Sequence, residues 1–477
     1  MSQTPDYDSW SKEALIARIR SLEQPAEQPA EQPAEQPTEP EHVLVRKAKK
    51  QRRADKFNFD SFPQRKVAFK FSYFGWPYHG LARQGNALAN AEKREIEDEY
   101  PTVEGELFKA LARCKLIASE DECDYSRCGR TDRGVSGFGQ VIALYVRSAG
   151  KFLTEEEAEG GDVFRDDRND RRPVRLPAND KELPYINMLN KILPAEIRIL
   201  AWSPVSPTFD ARFSCRWRFY RYFFTEKGLD IARMQDAAQR YLGSHDFRNF
   251  CRLDPAKQIK NFERTVMDIA IRPVPERVSL VGDSQNPASR WWQLELRGTA
   301  FLWHQVRCMM AVLLMVGQGL EEPSIVDTLL DVETTNGKPE YEMASDLPLV
   351  LADCAYDEED VQWIRVKTPG TDMGNMTVLT RELSRQWGEL NTQAVMASAL
   401  LDIVQNAVVP VGDGQSLPWN EYKPAPKPGG ADFILGGGKV KHVGKYVPIV
   451  QRKRAEPVEV RNRLWMERKG NKRAKKE

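Results

Sequence analysis

One carboxylate stands among guanidiniums and glycines in the stretch Cys128–Val141, CGRTDRGVSGFGQV. Asp132 lies between Arg130 and Arg133, with glycines at 129, 134, 137 and 139. An aspartate can act as base, nucleophile or metal ligand. A metal site would want further carboxylates or histidines close by in the chain, and this turn has none. Adjacent arginines favour the ionised form and predict a lowered pKa for Asp132, which suits a nucleophile or an always-charged base. The same guanidiniums suit bidentate contact with phosphate. A turn aspartate can equally cap its own backbone while its arginine neighbours face water. Spacing alone leaves these readings open.

A second candidate is Arg307, set in the otherwise apolar run FLWHQVRCMMAVLLMVG. A buried cation needs a partner, and Asp132 is the natural one. His304, one turn before it, reads as a satisfied core or rim histidine, and Trp303 and Cys308 as packing residues. Tyr220 and Tyr222 alternate along FYRY and face the same side of an expected strand, so either can be a core aromatic.

The elements that must position these groups follow from periodicity. Residues 66–76 alternate and predict a strand running into a turn. Residues 102–117 predict an amphipathic helix, and 140–148 a strand directly after the Asp132 turn, which places the aspartate on a loop entering a buried strand. Residues 149–182 are charged and predict a flexible insertion. A helix and strand follow over 183–205, an arginine- and aromatic-rich strand over 215–226, a helix over 230–243, strands over 264–274 and 290–300, an apolar helix over 301–319, and a closing segment at 347–356. The pattern predicts an α+β fold with a sheet covered on one face. Beyond it, 378–408 predicts a helix, 426–439 a loop, and 445–470 a segment ending in a helix. Before it, 10–23 predicts a short helix, and the EQPA repeat a proline-rich linker with no core.

Composition sets wider bounds. The 477 residues suffice for one large domain or two ordinary ones with tails, and no run approaches a membrane span or a secretory signal. Seven cysteines are dispersed without a C-x-x-C pair, which fits a reducing compartment and argues against structural zinc. Five histidines make a histidine-driven mechanism or a histidine-rich metal site a poor expectation. Net charge is +1, yet basic runs at 46–53 and 468–476 are segregated from acidic stretches. Segregation permits a basic groove for an anionic partner, and terminal basic runs suit solvated tails or nuclear import. Nucleus and cytoplasm are the expected locations.

The segment GRTDRGVSGFGQV resembles the active-site signature of the TruA family of tRNA pseudouridine synthases. Four further segments match in order: FSYFGWPYHG, LNKILPAEIRI, FDARFSCRWRFYRYFF and TAFLWHQVRCMMAVLLMVG. The match covers roughly residues 65–358 apart from the charged insertion. Features such as SYFGWPYHGLA, ELPYINMLNKILP and the late KYVPIVQRKR resemble the eukaryotic branch that acts at positions 38 and 39 of the anticodon stem-loop.

The resemblance implies two ferredoxin-like halves sharing one central mixed sheet, with a catalytic cleft between them. The expected divisions are an extension at 1–62, halves at 63–227 and 228–358, and a C-terminal extension at 359–477. It implies that Asp132 is the catalytic aspartate, acting at sugar C1′ or C2′ or at uracil C6. It implies that Arg130 helps extrude the nucleotide, Tyr220 packs against the flipped uracil, and Arg307 pairs with the aspartate. It implies tRNA as substrate, a possible homodimer, and no metal, nicotinamide or flavin, since the isomerisation exchanges one bond for another without redox change. Alongside Arg130 and Arg133, Arg218 and Arg221 are expected to bind RNA, with one face of RWRFYRY basic and the other apolar. The alternatives are a synthase of this family with other RNA targets, or a non-catalytic tRNA-binding or tRNA-folding protein.

Overall fold

The computed structural model describes residues 57–83, 100–159, 163–275, 290–365, 373–406, 408–412, 415–418 and 431–474, all within the compact unit Phe57–Glu477. The helix expected over 10–23, the EQPA repeat, the basic run at 46–53 and the last residues of the basic tail lie outside the described residues.

In chain order the elements are β1 (Gln64–Tyr73), α1 (Val103–Arg113), β2 (Ser126–Arg127), β3 (Ser136–Arg147), β4 (Lys151–Phe152), β5 (Val174–Arg175), α2 (Tyr185–Asn190), β6 (Ile197–Pro204) and β7 (Trp217–Thr225). Then come α3 (Ile231–Gln239), β8 (Gly243–Asp246), β9 (Glu263–Pro273), β10 (Trp291–Gly298), α4 (Gln305–Gly317), α5 (Ile325–Leu330) and β11 (Leu349–Ala355). The C-terminal extension adds α6 (Met373–Gln405), β12 (Val408–Gly412), β13 (Gln415–Pro418), β14 (Ala431–Gly436), β15 (Lys439–Val443) and α7 (Val458–Ala474). Side-chain caps mark two helix starts. Thr102 accepts from the Gly105 N–H before α1, and Asp230 from the Arg233 N–H before α3.

One mixed sheet of nine strands organises the molecule, in the order β6-β1-β3-β11-β7-β10-β9-β8 with β2 also paired to β3. Neighbours are antiparallel except at one joint, where β3 and β11 run parallel through Ser136–Val350 and Gly137–Leu351. The other edge of β3 carries β1 along almost its whole length, while β2 pairs only near its far end, at Ile142 and Ala143. The Asp132 turn therefore leaves β2 and enters β3 at the point where early strands meet late ones.

Two large apolar clusters lie under the helices. One holds Val67, Phe69, Phe71, Leu107, Leu111, Ile142 and Leu144. The other surrounds α4, whose Cys308–Val316 run is buried all round, as a helix apolar on every side must be. A smaller cluster of Ala68, Cys128, Val141, Ala143, Cys215, Leu351 and Cys354 lies on the opposite face of the early strands, because alternate residues of β1 and β3 point there. Helices on one face match the expected α+β class.

Two expectations need correction. The charged segment 149–182 is anchored at its described residues rather than loose. The Glu182 carboxylate is buried and accepts from Arg65 at 3.0 Å, Ser148 at 2.7 Å and the Ala149 N–H at 2.7 Å, and Asn169 bonds both backbone groups of Gln64. The expected loop at 426–439 contains β14, paired with β15. Its glycines cluster at the tight turn, where Gly436, Gly437 and Gly438 all have positive φ.

Candidate active site

The turn from Cys128 to Val135 is built by close backbone approaches. The Cys128 N–H donates to Val141 O at 2.9 Å, Leu81 N–H to Thr131 O at 3.2 Å, and Gly134 N–H to Tyr78 O at 3.3 Å. Tyr73 and Thr131 share a buried hydroxyl contact of 2.8 Å. Arg127 of β2 is paired with Glu104 on α1, which pins the entry to the turn. Gly134 has φ +78°, and a side chain there would strike Asp346. At Gly139 a Cβ would come within 2.8 Å of the β11 backbone, so glycine is what lets β11 join.

The Asp132 carboxylate meets the loop between β10 and α4. Its Oδ1 accepts from the Trp303 indole Nε1–H at 3.0 Å, and its Oδ2 lies 3.4 Å from His304 Nε2. The expected lowered pKa is not what results. Burial raises it, and the Trp303 hydrogen bond and the charges of Arg307 and Lys257 oppose that rise only in part. Arg130 and Arg133 are exposed and make no hydrogen bond or ion pair among the described residues. The contacts of Asp132 come from Trp303 and His304 rather than from the arginines that bracket it in sequence.

His304 holds φ +61°, left-handed for a non-glycine residue, at the start of α4. Its pKa is lowered to about 4 by burial and by the charges of Arg307, Arg252 and Lys338. The ring is therefore neutral at pH 7. Its buried Nδ1 has no hydrogen-bond partner among the described residues, and Nε2 is the nitrogen that faces Asp132. Arg252 and Lys257 sit over the Trp303 ring at 4.8 and 5.3 Å from its centroid. The sequence reads Trp303 as a packing residue and His304 as a satisfied core or rim histidine, whereas both meet Asp132. The missed signal is a tryptophan at the mouth of a buried helix, 37% exposed, where packing alone would hide it.

Arg307 is one turn further along α4. Its Nε donates to Ala344 O at 2.8 Å, and its nearest carboxylate is Asp346, at 3.8 Å, which also takes Lys439 at 3.3 Å. The expected direct pair with Asp132 is absent among the described contacts. Arg307 acts on Asp132 through its charge rather than by contact.

The two tyrosines separate. Tyr222 is fully buried, with its hydroxyl donating to Leu435 O at 3.3 Å. Tyr220 is half-buried and stands edge-on to Phe301, with ring centroids 5.0 Å apart, so it reaches the same 299–304 loop that touches Asp132. No hydrogen bond joins Tyr220 to Asp132 among the described residues.

The expectation of one basic face on RWRFYRY fails. Arg218 shares its face with Tyr220 and Tyr222, while Trp217, Phe219 and Arg221 share the other. Arg218 donates to Thr299 O at 2.6 Å, Cys128 O at 3.1 Å and Arg212 O at 2.9 Å, so it braces the Asp132 turn to the Trp303 loop and is not free for phosphate. Arg221 faces Glu295 at 3.4 Å and the Phe219 ring at 5.2 Å. Beside them Arg297 lies over Trp217 and Phe219 at 4.7 and 5.6 Å, which gives that face a mixed basic and aromatic character.

A partly desolvated carboxylate hydrogen-bonded by one indole N–H and 3.4 Å from a neutral imidazole, near a guanidinium and a half-buried tyrosine, can act as base or nucleophile on a substrate brought to it. No described helix is long and apolar enough to cross a membrane. A family model described as tRNA pseudouridine synthase matches residues 237–357, which include α4 and β11. Over 474 residues the chain is 36% identical to the tRNA pseudouridine(38/39) synthase of Homo sapiens, covering 97% of this chain and 89% of that protein. Over 476 residues it is 39% identical to the protein of the same name from Saccharomyces cerevisiae, covering 98% and 93%. A more distant relative, tRNA pseudouridine synthase A of Methanothermobacter thermautotrophicus, is 31% identical over 273 residues, covering 56% and 74%. On these likenesses the chain belongs to the tRNA pseudouridine synthase family, isomerases that act on tRNA.

Proposed function

We propose that this enzyme converts uridine to pseudouridine at positions 38 and 39 of the tRNA anticodon stem-loop, with Asp132 as its catalytic carboxylate. The positions rest on the names of the human and yeast relatives, which align with nearly the whole chain. The catalytic role rests on one observation: Asp132 is a half-buried carboxylate in the turn entering β3, with one oxygen hydrogen-bonded by the Trp303 indole and the other 3.4 Å from His304 Nε2. The reaction breaks the N1–C1′ bond and forms C5–C1′. The C5 proton leaves and N1 regains one, so the chain must supply a carboxylate, a place for the uracil and a means of extrusion.

Tyr220 would pack against the uracil and Arg307 would bias the local charge. Arg130, exposed beside the turn, would fill the vacated stack. Extrusion costs a few kcal/mol, and stacking on an aromatic ring returns about 1–3 kcal/mol. Arg130, Arg133 and Arg221 would meet phosphate, alongside the Trp217–Phe219–Arg297 face.

The sheet reads as two ferredoxin-like halves. The orders β6-β1-β3-β2 and β11-β7-β10-β9 each place the last strand beside the first, then the third, then the second. A homodimer belongs to the same reading. Past its anchor at Arg198–Glu382, 2.7 Å, α6 leaves Trp387, Met396, Leu400 and Ile403 exposed, a surface suited to a second copy. Location in nucleus and cytoplasm rests on the basic runs.

The test is site mapping. tRNAs carrying U38 or U39 are incubated with the purified enzyme and pseudouridine is located chemically. Product at these positions, and none in tRNAs carrying cytidine there, supports the assignment. Product only at other positions refutes it.

A further inference from the structure

Three of the seven dispersed cysteines meet in the fold. The Sγ atoms of Cys128, Cys215 and Cys354 all lie within 4.8 Å of one another, and the residues are 1%, 8% and 2% exposed. Each arrives from a different part of the site. Cys128 opens the Asp132 turn, Cys215 precedes β7 and Tyr220, and Cys354 lies on β11. No pair is close in sequence, which is why the spacing spoke against a metal.

The backbone holds all three in place. Cys128 N–H is bonded to Val141 O at 2.9 Å and Cys354 N–H to Asp353 Oδ1 at 2.8 Å, and Arg216 N–H bonds Ala355 O at 2.9 Å, which ties the Cys215 segment to β11. Three sulfurs in a tetrahedral zinc shell, with Zn–S of about 2.3 Å, sit about 3.8 Å apart. The observed separations need to close by no more than about 1 Å to reach that. A disulfide would require a far larger approach, to about 2 Å, and would strand the third thiol.

A second observation points to negative charge at this place. Arg218 pairs across the sheet with Cys354 and donates to the Cys128 carbonyl at 3.1 Å. It has no carboxylate partner among the described residues, so its charge is met there only by carbonyl dipoles. The remaining neighbours of the sulfurs are mostly apolar, Ala68, Val141, Ala143, Phe209 and Leu351, with Tyr356 packed beside them. A dry pocket lined by thiols and faced by a guanidinium suits a soft cation whose thiolate shell carries net negative charge.

We propose that Cys128, Cys215 and Cys354 form a three-thiolate zinc site that clamps the Asp132 turn to β7 and β11. Binding exchanges three thiol protons for one Zn²⁺, giving three Zn–S bonds and a shell of net charge −1 opposite Arg218. A fourth, non-thiol donor completes the tetrahedron. The zinc is structural here, because the cluster is buried away from solvent. Only the consequence for Asp132 rests on the proposed function; the metal itself does not.

The test uses the full chain, purified from zinc-supplemented cells and analysed for metal. About one zinc per chain is expected, as for a structural site. Exchange with Co²⁺ should give thiolate-to-cobalt charge transfer and intense tetrahedral absorption. Cys215→Ser should lose both metal and absorption, whereas Cys114→Ser, outside the cluster, should keep them. If Cys215→Ser does not fold, the cobalt spectrum of the wild type decides. Wild-type protein with less than about 0.1 zinc per chain and no cobalt–thiolate band overturns the proposal. So does a folded Cys215→Ser that keeps its metal, or a disulfide among the three found by intact mass.

Discussion

The indole N–H of Trp303 and the carboxylate of Asp132 are 3.0 Å apart although 171 residues separate them in sequence, and this bond ties the late strands to the early ones at the site. A hydrogen bond to a carboxylate contributes about 1.5–3 kcal/mol. Trp303→Phe keeps the ring and removes the donor. Because the bond holds the Asp132 pKa down against burial, its loss should raise that pKa. The acid limb of kcat/KM should then move to higher pH, by up to about one unit, with kcat down roughly tenfold. An unmoved acid limb would show that the indole only packs.

Asp132 and His304 should change stability with pH in opposite senses. The Asp132 pKa is raised in the fold, so its contribution is intact below the ordinary aspartate value of 3.8 and is lost as pH rises through the folded value. Asp132→Asn should therefore melt higher than wild type at pH 7, and the gap should close near pH 4. The His304 pKa falls from 6.5 to about 4. Its contribution is full above 6.5 and is lost as pH falls toward 4. His304→Asn, which tolerates the left-handed backbone, should lose less stability than wild type over that window. Burial is the largest cause of this shift, the charges of Arg307, Arg252 and Lys338 add to it, and Asp346 opposes it; Asp132 lies 3.4 Å from the ring. Thermal melts at stepped pH measure both.

The two β7 tyrosines should fail in different assays. Tyr222→Phe removes a buried hydroxyl bonded to Leu435 O and should cost about 1 kcal/mol of stability with kcat unchanged. Tyr220→Leu should leave stability within about 1 kcal/mol and lower kcat by at least about tenfold. The reverse assignment would place the uracil against Tyr222.

Much of this architecture was legible from period alone. The alternation of 66–76 and the apolar run after Asp132 are β1 and β3, and Thr102 marks the start of α1. What period cannot show is where a turn's side chains go. Arg130 and Arg133 flank Asp132 in sequence yet are exposed, while its contacts Trp303 and His304 come from the loop before α4. The raised pKa likewise follows from burial, which emerges only when β11 joins β3. Arg218 looked like a phosphate ligand by composition and is a brace by geometry. The resemblance expects Arg307 to pair with Asp132, whereas in the fold the carboxylate beside Arg307 is Asp346.

The arginines divide accordingly. Arg130→Ala and Arg133→Ala should weaken tRNA binding and each reduce the slope of log K against log salt by about one, as for a lost phosphate contact. Arg218→Lys should leave the tRNA Kd and its salt slope unchanged and lower kcat by about tenfold, since the three backbone carbonyls lose their fork of donors. Filter binding at several salt concentrations, beside single-turnover kinetics, separates the two classes.

The decisive measurement is release of tritium from tRNA labelled at C5 of uridine, because forming the C5–C1′ bond expels that hydrogen. Wild type should release label in proportion to pseudouridine formed. Asp132→Asn should bind the same tRNA with a Kd within about twofold and release label at least about 10³-fold more slowly. Release by Asp132→Asn within about tenfold of wild type would contradict the account.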